Sequence, residues 1–510
     1  MSKAKVILSG VAWTIIQNVV SILYGIVSVP FLISYFGKEE YGLIGLALSV
    51  NVYIQLLDMG MTNSNVRFFS EYLAKKDSLK VQSLFSLTHL FYLIIGVINT
   101  IVLFAVSLYV ENLFKVTPEQ AVTLRHLLWV LVINATFSWV STCFDQFLRA
   151  NELIDWIKKR TTLLKILQFV ILFATIQFNL SIELYFAGYI FIITAILPLT
   201  ILKSKSIFPE LKLSLSFDKE MFRTVFPYAM SLFSFGIFQF LAFNFRPLIL
   251  GNMNGPGAVA DFNVMSTIAM VVTVISGSFL QVLLPIVTKM SVNNEGEAVK
   301  RTITVGTKYV AILLTFVIFF LVLLNREILD LYVGKEFEHL SPWLVLWLLT
   351  LLCSHRNVMT SLVYTEKNLK SVSVMGFVAM VVAFAAYFLL VPKYGVGGVV
   401  IGFTLHELTH TLFYYIIFIP RRFHYPTGNM FLTSVLPSWV ILGSLTLVIS
   451  IGIRSLDNII VAIFIKGGSY LLGSVILVWF LLLNKEDRTF ANSFIIIPRK
   501  ESKHNRNILK

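Results

Sequence analysis

Long apolar stretches separated by short polar breaks dominate this chain. Runs free of Asp, Glu, Lys and Arg recur at 81–110, 262–288, 371–392 and 429–453, and each reaches the roughly 20 residues that a helix needs to cross a bilayer. In hydrocarbon every backbone N–H and C=O must be paired inside the structure. Continuous stretches of this length pair them as helices, whereas membrane strands would show alternating segments of about ten residues. Hydropathy and its breaks predict helices starting near Leu8, Tyr41, Ser83, Arg125, Thr162 and Leu184, then Val225, Val259, Thr304, Ser341, Val372 and Gly397, and finally Phe431 and Ile459. The expected fold is an all-α integral membrane protein of about 14 transmembrane helices.

The spacing of these starts carries more than their number. The second set of six follows the first at an offset of roughly 215 residues. A repeat with an even helix count preserves orientation, which predicts two parallel six-helix lobes related about the membrane normal. The resulting organisation is an N-terminal lobe at 1–202, a linker at 203–224, a second lobe at 225–424, two extra helices at 425–484 and a basic tail at 485–510. Ser216, followed by Phe-Asp-Lys-Glu, reads as the N-cap of the seventh helix. The start, Met-Ser-Lys-Ala-Lys before an apolar stretch carrying Gln17 and Asn18, shows no small-residue cleavage site and is expected to be a retained first helix.

Composition agrees: 57% of the 510 residues are hydrophobic and 13% charged, against about 25% charged in soluble domains. The net charge of +14 would raise nucleic acid as a partner, but aromatic and basic residues do not interleave on any polar domain. Topology explains the charge better. With a cytoplasmic N-terminus, inner segments collect 31 Lys and Arg, outer loops seven, and three lie within helices. This asymmetry places both termini in the cytoplasm, with anionic lipid as the neighbour of the basic loops. Cys143 and Cys353 both sit in apolar surroundings and indicate neither a disulfide framework nor a cysteine metal site.

Two segments then suggest a family. Phe36-Gly37-Lys38-Glu39-Glu40-Tyr41-Gly42 and Leu56-Leu57-Asp58-Met59-Gly60-Met61, with Pro227 and Tyr394-Gly395-Val396-Gly397-Gly398, resemble the polysaccharide-transporter branch of the multidrug/oligosaccharidyl-lipid/polysaccharide exporter superfamily. The resemblance implies a V-shaped pair of lobes working by alternating access. It further implies a flippase for undecaprenyl-pyrophosphate-linked O-antigen, capsule or exopolysaccharide units in a bacterial inner membrane. No cofactor is implied beyond H+ or Na+ coupling. Polysaccharide polymerase or assembly proteins would be further partners of an expected monomer. The two extra helices are similar to those of lipid II flippases, but the first helix here has no arginine, which argues against a peptidoglycan substrate.

Ionisable side chains at mid-helix cost roughly 2.5–3.5 kcal/mol on insertion scales, so they face a cavity or a partner. Arg246, followed by Pro247, which frees a helix carbonyl, is the leading candidate for a pyrophosphate headgroup; a pairing with Asp58 is the structural alternative. Arg356, beside His355, is the second candidate. Arg67 and Arg149 stand at inner helix ends, where they would either capture a headgroup or snorkel to the interface. Lys466 lies about two turns inside the last helix from its outer end, where it would either contact the headgroup or snorkel, and Asp58 either couples an ion or braces its lobe. His406-Glu407-Leu408-Thr409-His410 satisfies the H-E-x-x-H zinc pattern, with both imidazoles on one helix face, but the next acidic residue is Asp457 and no third ligand motif follows. The same three residues could hold a transported proton or simply hydrogen-bond, and His89 reads as an interior histidine. Two rivals to the flippase therefore stand: a multidrug cation antiporter and an intramembrane zinc metalloprotease.

Overall fold

The computed structural model describes residues 3–293, 295–363, 370–423, 427–453 and 458–489. Asp457 and the tail beyond Thr489 lie outside the described residues. Helix accounts for 91% of the structure, and no strand occurs among the described residues.

Among the described residues twelve helices are long and apolar enough to cross a membrane, and the pair Lys219–Ser234 and Gly236–Met253, bent by 52°, makes a thirteenth when taken as one span. The remaining predicted start, Gly397, falls on the helix Val396–Leu412, whose 17 residues run on into a six-residue π-helical stretch, Phe413–Phe418. Each predicted start thus has a helix, and the chain is a multi-pass membrane protein. Large apolar side chains such as Leu389, 76% exposed, cover the outer faces of these helices, as lipid contact requires and water would not favour.

The helices used below are α1 (Lys3–Phe36), α2 (Lys38–Val52), α3 (Met61–Ala74), α4 (Ser78–Leu108), α5 (Pro118–Ala150), α6 (Ile154–Gln177), α7 (Ile182–Ala195), α8 (Lys219–Asn244), α9 (Arg246–Met253), α10 (Pro256–Val292), α11 (Gly296–Leu323), α12 (Lys370–Tyr394) and α13 (Val396–Leu412). The cap of α8 corrects an expectation: Asp218, not Ser216, accepts from the Met221 N–H at 3.0 Å. A carboxylate two residues nearer the helix satisfies the free N–H of the first turn better than a hydroxyl farther away.

Packing divides the chain into two compact units. The first comprises Met1–Val274, Leu329–Cys353 and Glu366–Phe418. In it α4 packs along α5, α12 along α13, and α1 along α6. A Cβ on Gly398 would lie 2.5 Å from the Val391 backbone nitrogen, so α12 and α13 approach closely through a small residue, as membrane helices do when packing drives their association. The segment 36–42 acts as a clasp within this unit. Lys38 pairs with Asp261 of α10 at 2.7 Å, and Glu39 accepts the Gly257 N–H at 3.0 Å. The same Gly-Lys-Glu pattern returns at Gly334-Lys335-Glu336. Gly37 (φ 94, ψ 162) and Gly334 (φ 98, ψ 166) adopt one conformation at the start of a new helical segment.

The second unit comprises Ile275–Ile328, Ser354–Thr365 and Ile419–Lys510. Here α11 packs against the helix Leu436–Gly452 and the helix Gly468–Leu477 around Leu323, Leu324, Ile449 and Tyr470. The last two predicted helices are therefore built onto α11.

Candidate functional site

The Leu56–Met61 motif shapes its site through backbone geometry. After the tight turn Tyr53–Asp58, Met59 and Gly60 both take left-handed conformations (φ 47 and 75). A Cβ on Gly60 would stand 2.4 Å from the Ala229 carbonyl oxygen of α8, so only glycine fits there. This turn aims Asp58 inward. Its Oδ1 accepts from the Tyr92 hydroxyl at 2.6 Å and from Thr62 Oγ1 at 2.8 Å, and its Oδ2 from the Thr62 N–H at 3.2 Å. Gln146 of α5 donates to Tyr92 Oη (2.5 Å) and Thr62 Oγ1 (3.0 Å) and accepts from Asn65 at 2.9 Å. Half-buried Thr62 and buried Tyr92 thus hold one carboxylate, and buried Gln146 and Asn65 hold them in turn, an arrangement that removes its freedom to wander. Sequence reasoning missed Tyr92, Gln146 and Asn65 because each comes from a different helix and nothing in the linear order shows that they converge on Asp58.

Asp58 opens onto a cavity of about 380 Å³ lined by Asn51, Gln55, Asn99, Trp139 and Phe240, among others. This lies within the roughly 300–1,000 Å³ range of small-molecule sites.

Arg246 occupies a different setting. It is 8% exposed, and its guanidinium carbon lies 5.0–5.4 Å from the ring centroids of Phe243, Phe262, Trp347 and Phe403, within cation–π range. Because Pro247 has no N–H, the Phe243 carbonyl four residues earlier loses its helical donor. Arg246 Nε supplies it at 2.7 Å. The flanking carbonyls of Ala242 and Asn244 accept from the Tyr387 and Tyr53 hydroxyls at 3.0 and 2.8 Å. Three consecutive carbonyls at the α8–α9 break are therefore satisfied by side chains. The expected free carbonyl is there, but Arg246 itself fills it, and Arg246 and Asp58 form no ion pair.

His406, Glu407 and His410 are all buried on α13. The imidazoles share a face as their spacing predicts, with ring centroids 4.8 Å apart, and His406 Nδ1 stands 3.3 Å from Glu407 Oε1. His406 also meets the Phe243 ring edge-to-face at 5.3 Å. Arg246 stands over the Phe403 ring of the same helix at 5.0 Å, which ties α13 to the helix break. No group of three His, Cys, Asp or Glu side chains placed to hold a metal occurs among the described residues.

The remaining basic candidates divide. Arg67 of α3 is exposed, with its guanidinium carbon 4.2 Å from the Tyr228 ring centroid. Arg149, at the end of α5, is exposed. A short turn separates it from α6, whose Lys158 donates to Gln17 Oε1 of α1 at 3.0 Å. Neither Arg149 nor Lys158 has a carboxylate within ion-pair distance among the described residues. In the second unit, Arg356 is buried next to His355, whose ring packs 5.8 Å from Trp439. Lys466 does not snorkel: its Nζ lies 2.5 Å from Glu327 Oε1, both 14% exposed.

A bundle of apolar spans with a polar cavity, a proline-broken helix and mostly neutralised buried charges has the build of a membrane transporter. The comparisons give the family. Residues 7–291, more than half of the chain, match the family model described as "Polysaccharide biosynthesis protein", and the chain belongs to this family. No curated relative matches significantly. Among solved structures, "Lipid II flippase MurJ, inward closed conformation" is 16% identical with a TM-score of 0.72, covering 93% of this chain and 99% of that one. An inward-facing multidrug resistance MATE family transporter of the MOP superfamily is 17% identical at TM-score 0.61, covering 82% and 96%. The MATE multidrug transporter DinF-BH is 15% identical at TM-score 0.58, covering 81% and 96%. At these identities the likeness is one of fold.

Proposed function

We propose that this chain flips an undecaprenyl-pyrophosphate-linked oligosaccharide, the repeat unit of an O-antigen, capsule or exopolysaccharide, from the cytoplasmic to the outer leaflet of a bacterial inner membrane. It does so as a monomer by alternating access, driven by an H+ or Na+ gradient. Besides the family, the observation that carries this reading is the Arg149–Lys158 pair. Two mutually repelling cations without a carboxylate partner attract a dianionic headgroup, and the Gln17 amide beside them offers a donor for its oxygens. The charge asymmetry of the loops supports a cytoplasmic position for this pair, where a substrate made in the cytoplasm would arrive. Arg67, exposed, serves as an outlying capture residue.

The test is depletion in a bacterial host. Lipid-linked repeat units should accumulate on the inner leaflet, and an Arg149→Ala/Lys158→Ala variant with normal membrane expression should fail to clear them. Unchanged intermediate levels on depletion would defeat the reading. Asp58 in the cavity favours a second reading, export of organic cations. Loss of drug resistance on depletion, without accumulated intermediates, would select it.

A further inference from the structure

We infer that the Asp58 cavity is a subsite for one uncharged pyranose ring; this rests on the flippase reading for the substrate to which that ring belongs. The argument comes from the chemistry of the walls. Asn51, Gln55 and Asn99 place three carboxamides around the space, and a carboxamide both donates and accepts, as a sugar hydroxyl does. Asn99 is 2% exposed. Its Nδ2 donates to Asn51 Oδ1 at 3.3 Å, while its Oδ1 is buried without a hydrogen-bond partner among the described residues. Asn99 lines the cavity, and an unpartnered buried acceptor in that wall gains from any donor that side-chain rotation brings within reach. Asp58 contributes the same way: Oδ1 already takes two donors, but Oδ2 takes one and keeps capacity for a hydroxyl.

The apolar walls complete the match. Trp139 is backed by the Tyr92 ring at 5.7 Å and 14°, which makes it a rigid plane, and Phe240 of α8 stands on the same cavity. An aromatic face carries negative charge density and suits the C–H face of a pyranose.

Charge sets the class of sugar. Asp58 is the one charged residue among the described residues that line the cavity, so a uronate would meet repulsion from it and no cation among them. An adjoining pocket of about 160 Å³ shares Ser138 and Thr142. Its Arg160 is neutralised by bidentate bonds to Asp145 at 2.6 and 2.7 Å, so it adds no free positive charge. A bare cation would compete with the hydroxyl and amide donors already drawn to Asp58 and would find no second carboxylate in the cavity lining.

The experiment uses the full chain in polymer-bounded nanodiscs, since maltoside detergents are themselves sugars. Saturation-transfer NMR is recorded with methyl glucoside, methyl N-acetylglucosaminide and methyl glucuronide as probes. At least one neutral glycoside should receive transfer about fivefold above the glucuronide. Trp139→Ala and the milder Gln55→Glu, checked for unchanged thermal unfolding, should each lower that signal about fivefold, the scale of one lost contact. Lipid-facing Phe388→Ala should leave it alone. Equal transfer in wild type and both variants, or a preference for glucuronide, overturns the subsite. So does stabilisation by sodium that Asp58→Asn abolishes while no glycoside gives transfer. Accumulated lipid intermediates on depletion, with no glycoside transfer, would sink the subsite and leave the flippase standing. Glycoside transfer without accumulation would do the reverse.

Discussion

Arg246 and Pro247 are predicted to be energetically coupled, because one residue removes a donor and the other replaces it. In Arg246→Met the Phe243 carbonyl loses the Nε bond of 2.7 Å and stays buried. A hydrogen bond to a charged group contributes about 1.5–3 kcal/mol. The four rings around the guanidinium add cation–π attraction of about 0.5–2 kcal/mol each at most, part of which a methionine recovers through sulfur–aromatic contacts. The net expectation is a loss of about 2–4 kcal/mol. Arg246→Lys should recover little of it, since it keeps the charge but has no donor at the Nε position. In a Pro247→Ala background the restored N–H can serve the Phe243 carbonyl, and the same Arg246→Met change should cost about 1–2 kcal/mol less. The assay is a double-mutant cycle of unfolding in mixed micelles, followed by tryptophan fluorescence. If the two substitutions add within about 0.5 kcal/mol, or if Arg246→Met is as stable as wild type, the account of the break is wrong.

The Lys466–Glu327 pair should behave as a buried ion pair. Glu327→Gln alone is expected to cost about 3–5 kcal/mol, whereas Lys466→Met with Glu327→Leu should come near neutral, read by thermal unfolding of the purified protein. Gly398→Val should abolish a monodisperse folded species on size exclusion, because its Cβ would meet the Val391 nitrogen at 2.5 Å and overpacking costs about 1–3 kcal/mol or more. Asp218 is held below the usual carboxylate range by the Met221 N–H and the Ser83 hydroxyl. A carboxylate with a lowered folded-state pKa contributes stability that is complete above the unfolded value of about 3.9 and is lost as pH falls through the folded value. Asp218→Ala should therefore cost about 1 kcal/mol at neutral pH, a gap that closes in acid titration below pH of about 4.

What could be read from the sequence divides along a physical line. Spans were legible because the solvent imposes their length and polarity on every residue. Their ends were less so: the helix expected from Arg125 begins at Pro118, where Thr117 and Gln120 form a reciprocal cap at 3.0 and 3.3 Å. Hydropathy is blind to that polar turn, although Thr-Pro-Glu-Gln carries its signature. The candidate residues were legible as exceptions, charges where apolar residues belong, but their partners were not. Asp58 was visible, whereas the Tyr92–Gln146–Asn65 network around it depends on which helices become neighbours. Gln17 drew notice for its polarity, and its contact with Lys158 came from a helix more than a hundred residues away.

The same distinction applies to the two most conspicuous motifs. H-E-x-x-H specifies two imidazoles on one face and says nothing about the facing helix, which here offers Phe243 and the charge of Arg246. Arg246 in turn is occupied with a broken helix. Counting charges by their partners is more informative than counting them by rarity. In the first unit Lys38 is matched by Asp261, Arg160 by Asp145, and Arg246 by a carbonyl and aromatic faces, whereas Arg149 and Lys158 repel each other. A lipid-linked saccharide is charged at its headgroup and, where its sugars are neutral, only there. A cationic pair at the end of α5 and start of α6, set apart from an amide-lined cavity whose single charge is a carboxylate, suits those two ends. The carboxylate would repel the pyrophosphate from the sugar subsite and leave the headgroup to Arg149 and Lys158.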